Sequence, residues 1–324
     1  MPAPSPSRVR PLGSPAFLAA VCLVASLGGL LFGFDTAVIS GTVERVKQQY
    51  GLSDLLEGWF TSSALVGCIL GAAVAGMLGD RFGRKPTLLA ASVFFFVSAL
   101  YSTIPPTFTV LVIARWVGGL GVGMASVLAP LYISEFAPPQ HRGRLGALYQ
   151  LSIVIGILLA YLSNWLILRL GQDHPMAFGG QGWGHKIFVA ECWRAMFGAE
   201  MVPCVIFFGL LLFMPESPRW LLKAGKEAQG LALLTRVSGP TVAQRELTEI
   251  QAGLAREEGS VRELFRPGLR IALLVGVMLS VFGQLSGVNI VVYYGPKILA
   301  TAGYADAAAL LGQVGFGIIN LVFT

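Results

Sequence analysis

"GDRFGRKP", residues 79–86, places a charged turn between two apolar stretches. Its two glycines allow a tight reversal, and its charged side chains favour water and lipid headgroups over hydrocarbon. The flanking runs, 58–78 and 87–104, approach the roughly 20 apolar residues that an α-helix needs to cross a bilayer. The stretch therefore predicts two membrane-spanning helices that are joined at one membrane surface.

The same composition extends along the whole chain. Of its 324 residues, 55% are hydrophobic and only 12% are charged, whereas soluble domains carry about 25% charged residues. These values predict an all-α membrane protein. The predicted spans are 16–40, 58–78, 87–104, 108–134, 145–167, 195–214, 269–294 and 307–324.

The order of these spans predicts four regions. They are a cytosolic N-terminal tail (1–15), a six-helix transmembrane bundle (16–214), a cytosolic helical linker (215–268) and an incomplete C-terminal transmembrane half (269–324). Helical spacing in the linker predicts two or three short amphipathic helices, with a flexible linker as the alternative. Because the last apolar run reaches the end of the sequence, we expect a C-terminally truncated chain.

The net charge of +6 raises the question of nucleic-acid binding, but the positions of Lys and Arg favour another interpretation. Assigning successive loops to opposite sides puts most of the 23 Lys and Arg on the side of residues 79–86. Loops rich in Lys and Arg face the cytosol. We expect a multi-pass protein of the cell membrane, surrounded by lipid, with a cytosolic N-terminus and no nucleic-acid partner.

Asp35 lies inside the apolar run "LLFGFDTAVIS", residues 30–40. A charge at the centre of a span costs on the order of 2.5–3.5 kcal/mol, so such acids usually face a partner or a cavity. Asp35 lies roughly 27 Å along the first span and Arg115 roughly 10 Å into the fourth, which runs the other way. Both residues therefore fall in the same half of the bilayer. We predict an ion pair whose carboxylate exchanges a proton; a static structural pair is the alternative.

The order D-R-x-G-R-K within residues 80–85 resembles the signature loop of the major facilitator superfamily. Residues 115–157, "PESPRW" (215–220) and "GQLSGVNIVVYYGP" (283–296) then resemble the sugar porter family, over essentially residues 16–324. The resemblance implies a major facilitator superfamily fold, here an N-terminal six-helix bundle plus the first two helices of the second half. It also implies a substrate site between the two halves.

Side-chain amides in apolar stretches are candidates for binding an uncharged, hydroxyl-rich ligand, because each buried polar group then needs a partner. The candidates are Gln150, Gln284, Asn289 and Asn320. By resemblance they match sugar-contacting positions, and amides that join helices are the alternative. Sugar porters often have two adjacent glutamines here, but Gly283 precedes Gln284 in this chain.

The resemblance also implies a gate and a charge network. Tyr293 and Tyr294 match an aromatic outer gate, with an interfacial aromatic belt as the alternative. The network would lock the inner side, with half of it on the second half of the transporter. Its predicted members here are Asp80, Arg84, Glu135, Arg142, Glu216 and Arg219.

These features predict a monosaccharide transporter, coupled to protons and working by alternating access. We expect a monomer when full length, no cofactor, no metal and no enzymatic activity, since the three histidines lie in loops on opposite sides. The alternatives are a uniporter without proton coupling, an inactive fragment of a transporter, and a sugar sensor. Sodium is the alternative to the proton as the coupled cation.

Overall fold

The computed structural model describes residues 13–138, 140–178, 182–255 and 268–324. These ranges are predominantly helical and contain no strand, which confirms the all-α prediction. Eight segments within them are long and apolar enough to cross a membrane. Most of the predicted N-terminal tail and residues 256–267 of the predicted linker lie outside the described ranges.

Three groups of helices follow one another along the chain. The first half contains α1 (Pro15–Tyr50), α2 (Asp54–Phe82), α3 (Arg84–Thr103), α4 (Phe108–Phe136), α5 (Arg142–Asp173), α6 (Trp183–His185), α7 (Trp193–Gly198) and α8 (Met201–Phe213). Short 3₁₀ and π turns, Pro175–Phe178 and Lys186–Ala190, lie on either side of α6. The linker contains α9 (Pro218–Lys223), α10 (Glu227–Ser238) and α11 (Pro240–Ala255), and the second half contains α12 (Leu269–Leu285), α13 (Val288–Thr301) and α14 (Asp306–Phe323).

The first helix is longer than predicted. Ser14 caps its N-terminus, and it continues beyond residue 40 to Tyr50, where Gly51 adopts a left-handed conformation (φ 60°) that ends it. The prediction followed apolar residues only, whereas the polar segment 41–50 also forms helix. This extension carries charged residues beyond the apolar span.

The predicted span 195–214 is two helices rather than one. Pro203 has no N–H to donate to the carbonyl of Ala199. That carbonyl instead accepts from the Val202 N–H at 3.3 Å, and Glu200 lies at the break between α7 and α8.

The predicted span 269–294 is also interrupted. It breaks after Leu285, and Gly287 has a left-handed backbone (φ 77°) that favours glycine. The chain then re-enters a helix that continues to Thr301. The span is therefore two helices, α12 and α13.

The core lies between α1, α4 and their neighbours. The helix α1 packs against α4, α5 and α13, while α2 packs closely along α4. A Cβ atom at Gly119 would lie 2.0 Å from the carbonyl oxygen of Ala64, so only glycine permits this approach. The linker helices pack at the end of the bundle that carries the turn at Gly83. We call this end the linker face, and the end at Gly51 the opposite face.

Candidate functional site

Asp35 and Arg115 form a buried ion pair between α1 and α4. Each residue is only 2% exposed. Arg115 Nη1 donates to Asp35 Oδ1, and Nη2 donates to the Asp35 carbonyl oxygen at 3.3 Å. The guanidinium also lies over the ring of Phe197, 5.4 Å from its centre. The structure therefore pairs the two residues that are predicted, from their equal depth in the membrane, to lie side by side.

A cavity of about 20 Å³ lies beside this pair. Thr61, Cys68 and Tyr293 line it together with Asp35 and Arg115. This volume holds about one water molecule, whereas pockets for small organic ligands measure roughly 300–1,000 Å³. The cavity can therefore give Asp35 a water partner, but it cannot hold a sugar.

Glu200 adds a second acid that the sequence analysis missed. It is 1% exposed, and its Oε1 has no hydrogen-bond partner among the described residues. Its carboxyl group is close enough to Asp35 and Arg115 to interact with both electrostatically. Two buried acids, Asp35 and Glu200, therefore interact electrostatically with the same guanidinium. The signal was an acid inside the apolar run 195–214, the same signal that identified Asp35.

The four candidate amides lie on three parts of the fold. Asn289 Nδ2 donates to Gln284 Oε1 at 2.7 Å, across the break between α12 and α13. Gln150 is exposed on α5, and Asn320 is half-buried on α14. These two helices pack together, with Gly317 against Leu158 and Tyr161. The structure joins Gln284 to Asn289 and puts the other two on neighbouring helices, so their role in binding stays a prediction.

The two candidate gate tyrosines contact the first half. Tyr293 is half-buried and lines the cavity at Asp35. Tyr294 donates its hydroxyl proton to Thr61 Oγ1 at 3.2 Å. Both side chains therefore bridge α13 to the first half, although the gating role itself stays a prediction.

Lys297, one turn beyond Tyr294, joins the two halves on the opposite face. Its Nζ lies 2.5 Å from Glu57 Oε1 and 3.5 Å from Glu44 Oε2. Lys47 also contacts Glu57, at 2.7 Å. We call Lys297, Glu57, Glu44 and Lys47 the Lys297 cluster. Sequence reasoning missed it because its members are separated by up to 253 positions in the chain (44 to 297).

A second group of charges lies on the linker face around Arg84. Its guanidinium donates to both oxygens of Glu135 at 2.9–3.2 Å and to Asp80 at 2.9 Å. Lys223 on α9 contacts Asp80 at 3.1 Å. The Arg84 and Glu135 side chains are only 6% and 4% exposed. These contacts fasten the α2–α3 turn to α4 and to the first linker helix.

Glu216 completes this group through the backbone. Its carboxylate accepts N–H bonds from Arg84 at 3.0 Å, from Lys85 at 3.2 Å and from Ser217 at 2.7 Å. Burial nevertheless raises the pKa of Glu216 above its ordinary value. The group therefore links the 79–86 turn to the start of α9.

Arg142, another predicted member, contacts a backbone carbonyl rather than a carboxylate in the contacts described. Arg142 Nε donates to the Ser134 carbonyl at 3.1 Å, which ties α5 to α4. Arg219 is half-buried in the first turn of α9. The contacts described for Asp80, Arg84, Glu135 and Glu216 join the first half to the linker. They form without the second half, on which the sequence analysis expected half of the network to lie.

Ser217→Ala is expected to lower stability by about 1–2 kcal/mol, because Ser217 Oγ caps α9 by accepting from the Trp220 N–H at 3.3 Å and also donates to Glu135. The readout is the rate at which trypsin cleaves the linker in the folded protein. Thr248→Ala is the control, since that hydroxyl bonds only the carbonyl of Gln244 within its own helix. Equal cleavage rates in the two variants would contradict this role of Ser217.

Comparison with known proteins identifies the family. The profile described as "Sugar (and other) transporter" matches residues 21–324. The arabinose-proton symporter of Bacillus subtilis (strain 168) is 43% identical over 312 residues, covering 96% of this chain and 65% of the relative. The D-xylose-proton symporter of Escherichia coli (strain K12) is 39% identical over 337 residues, covering 95% and 66%. The chain thus spans just under two thirds of the length of both relatives.

Solved structures give the same assignment. The xylose transporter XylE from E. coli, in a partially occluded inward open conformation, superposes with a TM-score of 0.80 at 37% identity, covering 95% of this chain and 71% of that one. The proton:xylose symporter XylE bound to 6-bromo-6-deoxy-D-glucose, of the major facilitator superfamily, gives a TM-score of 0.81 at 38% identity, covering 95% and 68%. This chain is a multi-pass membrane protein that belongs to the sugar transporter family of the major facilitator superfamily.

Proposed function

We propose that the chain belongs to a secondary active transporter that moves a monosaccharide together with a proton by alternating access. The observation that carries the proposal is the buried pair of Asp35 and Arg115 beside a water-sized cavity. Transport in this proposal breaks no covalent bond of the sugar. The reaction therefore depends on binding, charge and conformational change.

Asp35 is the proposed proton site. Asp35 is paired with Arg115 in this structure, and in this proposal it exchanges a proton when conformational change separates it from this partner. The cavity supplies space for one water from which a proton can arrive. A second buried acid, Glu200, lies near enough to interact electrostatically with both Asp35 and Arg115. Asp35 is thus poised to change its charge when the cavity opens.

The amide-bearing helices α5, α12, α13 and α14 are the proposed sugar site. Gln284 and Asn289 form one hydrogen bond with each other. Each amide has further donors and acceptors, and the two can replace their mutual bond by hydrogen bonds to sugar hydroxyls. The names of the two relatives above make arabinose and xylose the first substrates to test. Because residue 283 is glycine, this site has one side-chain amide fewer than a site with two adjacent glutamines.

We further propose that the linker face lies in the cytosol of a cell-membrane protein. Lys and Arg concentrate there, which favours the cytosolic side. The Lys297 cluster and the bond between Tyr294 and Thr61 then close the outer side. Motion of α12–α14 against the first half would open that side and break these contacts.

The test is uptake of arabinose and xylose by the purified chain in proteoliposomes, with and without an imposed proton gradient. The proposal predicts accumulation above equilibrium only with the gradient. Exchange without accumulation would instead indicate a uniporter. No flux from this chain, together with flux from a version extended to twelve spans, would indicate that this chain alone is inactive.

Gln150→Ala and Asn320→Ala are each expected to raise the KM for the sugar about tenfold, because each removes one amide from the proposed site. The number of protons moved per sugar should stay the same, since neither residue contacts Asp35 in the described contacts. Sugar-dependent pH change at several sugar concentrations gives both quantities. An unchanged KM in both variants would remove α5 and α14 from the sugar site.

A further inference from the structure

Pro296 in the middle of α13 leaves one buried carbonyl without its helical donor. Proline has no N–H, so the carbonyl of Val292, four residues earlier, cannot form the usual helical hydrogen bond. Val292 is 5% exposed. A buried backbone carbonyl needs another partner, and an unmet one destabilises the state that contains it.

Two side chains from two other helices supply that partner. Tyr161 on α5 donates its hydroxyl proton to the Val292 carbonyl at 3.3 Å. Gln313 on α14 donates from Nε2 to the same carbonyl at 3.4 Å and to the Val291 carbonyl at 2.9 Å. Tyr161 and Gln313 are only 1% and 2% exposed. Both halves of the protein thus contribute a donor to the turn of α13 that precedes Pro296; because proline inside a helix favours a kink, we call it the kinked turn.

Gly295 makes the approach of Gln313 possible. A Cβ atom at this position would lie 1.9 Å from Gln313 Oε1, so any other residue would require the amide to move from its present position. The glycine, the proline and the amide therefore act together, because the proline frees a carbonyl that the glycine lets the amide reach. An apolar residue of similar size at 313 would keep the packing but could not donate a hydrogen bond. The Val292 carbonyl would then have Tyr161 as its remaining donor.

The kinked turn adjoins the cavity at Asp35. Tyr293 follows Val292 directly and lines that cavity with Asp35 and Arg115. We propose that Gln313 is a positioning residue: its amide, helped by Tyr161, holds the kinked turn of α13 so that Tyr293 closes the Asp35 cavity. The importance of this closure for transport rests on the proposed role of Asp35 as the proton site.

The test measures cavity closure directly through a native thiol. Cys68 lines the cavity, whereas Cys22, Cys192 and Cys204 are buried elsewhere in the protein. The full chain in lipid nanodiscs is treated with N-ethylmaleimide, and alkylation of each cysteine is followed by mass spectrometry. Gln313→Leu should raise the alkylation rate of Cys68 about tenfold, the change expected when a buried carbonyl loses a donor. The other three cysteines should stay protected.

A second set of variants separates positioning from general destabilisation. Tyr293→Ala should itself expose Cys68, and adding Gln313→Leu to it should produce no further increase, because the amide acts through Tyr293. Tyr161→Phe, which keeps the ring and removes only the hydroxyl, should raise the Cys68 rate less than Gln313→Leu. Faster alkylation of all four cysteines, an unchanged Cys68 rate, or full additivity with Tyr293→Ala would each overturn the proposal. None of these readouts involves sugar or a proton gradient, so they are independent of the uptake test.

Discussion

Asp35→Asn is expected to abolish accumulation of sugar against its gradient while sugar exchange across the membrane continues. Asparagine keeps the size of the side chain but cannot bind and release a proton, so the proton gradient has no site through which to act. Exchange needs only the sugar site and the conformational change. The measurements are uptake under a proton gradient and counterflow of labelled sugar in the same proteoliposomes.

The transport assay of Asp35→Asn needs a measurement of stability and a control variant. The substitution leaves the Arg115 guanidinium without its charged partner, and breaking a buried pair costs about 3–5 kcal/mol when nothing replaces it. Glu200, which interacts electrostatically with Arg115, remains in the variant. Thermal unfolding must therefore accompany the transport assay. Asp54→Asn is the matched control, because the Asp54 side chain is 94% exposed. Concentrative uptake by Asp35→Asn at the control level would contradict the proposed role of Asp35.

Lys297→Glu is expected to open the opposite face. Glu57 is 5% exposed and contacts Lys297 at 2.5 Å, so reversing the charge places two carboxylates together. Lys297 is itself 35% exposed, which puts the expected effect between that of a surface pair and that of a buried one. The expected cost is roughly 1–3 kcal/mol, which corresponds to a shift of about 5-fold to 150-fold towards the open state.

The measurement is the distance between spin labels on α1 and α14, attached through Gln48→Cys and Ala308→Cys. Lys297→Glu should lengthen it, and adding Glu57→Lys should shorten it again in part, because the pair re-forms in reverse while Lys47 and Glu44 each then face a like charge. Arg45→Ser is the matched control. It removes the contact to Asp306 at 3.3 Å on the same face, but Asp306 is 71% exposed, so little change is expected. Equal distances in Lys297→Glu and the control would show that the cluster does not hold this face closed.

The sequence predicted the parts of the site that depend on position along a helix. Asp35 and Arg115 could be paired because helical rise alone fixes their depth in the membrane. The turn at residues 79–86 and the number of spans follow from hydropathy. Arg84, Glu135 and Glu216 were grouped by resemblance, and their mutual contacts agree with that grouping.

The features that were missed depend on backbone breaks and on contacts between distant segments. Pro203 and Gly287 were visible in the sequence, yet a count of apolar residues treats a broken span and a continuous one alike. Gln313 could not be distinguished from the other amides, because its partners are the backbone carbonyls of Val291 and Val292 on another helix. Lys297 resembled an ordinary loop charge until α13 placed it against Glu57.

The most direct test of the central claim is infrared difference spectroscopy of the protein in lipid on addition of xylose or arabinose. Our account predicts that sugar binding changes the signal of a protonated carboxyl group in the unmodified chain. That change should vanish in Asp35→Asn and persist in Glu200→Gln. If the signal survives in Asp35→Asn, or is lost only in Glu200→Gln, the proton resides on another acid and the account is contradicted.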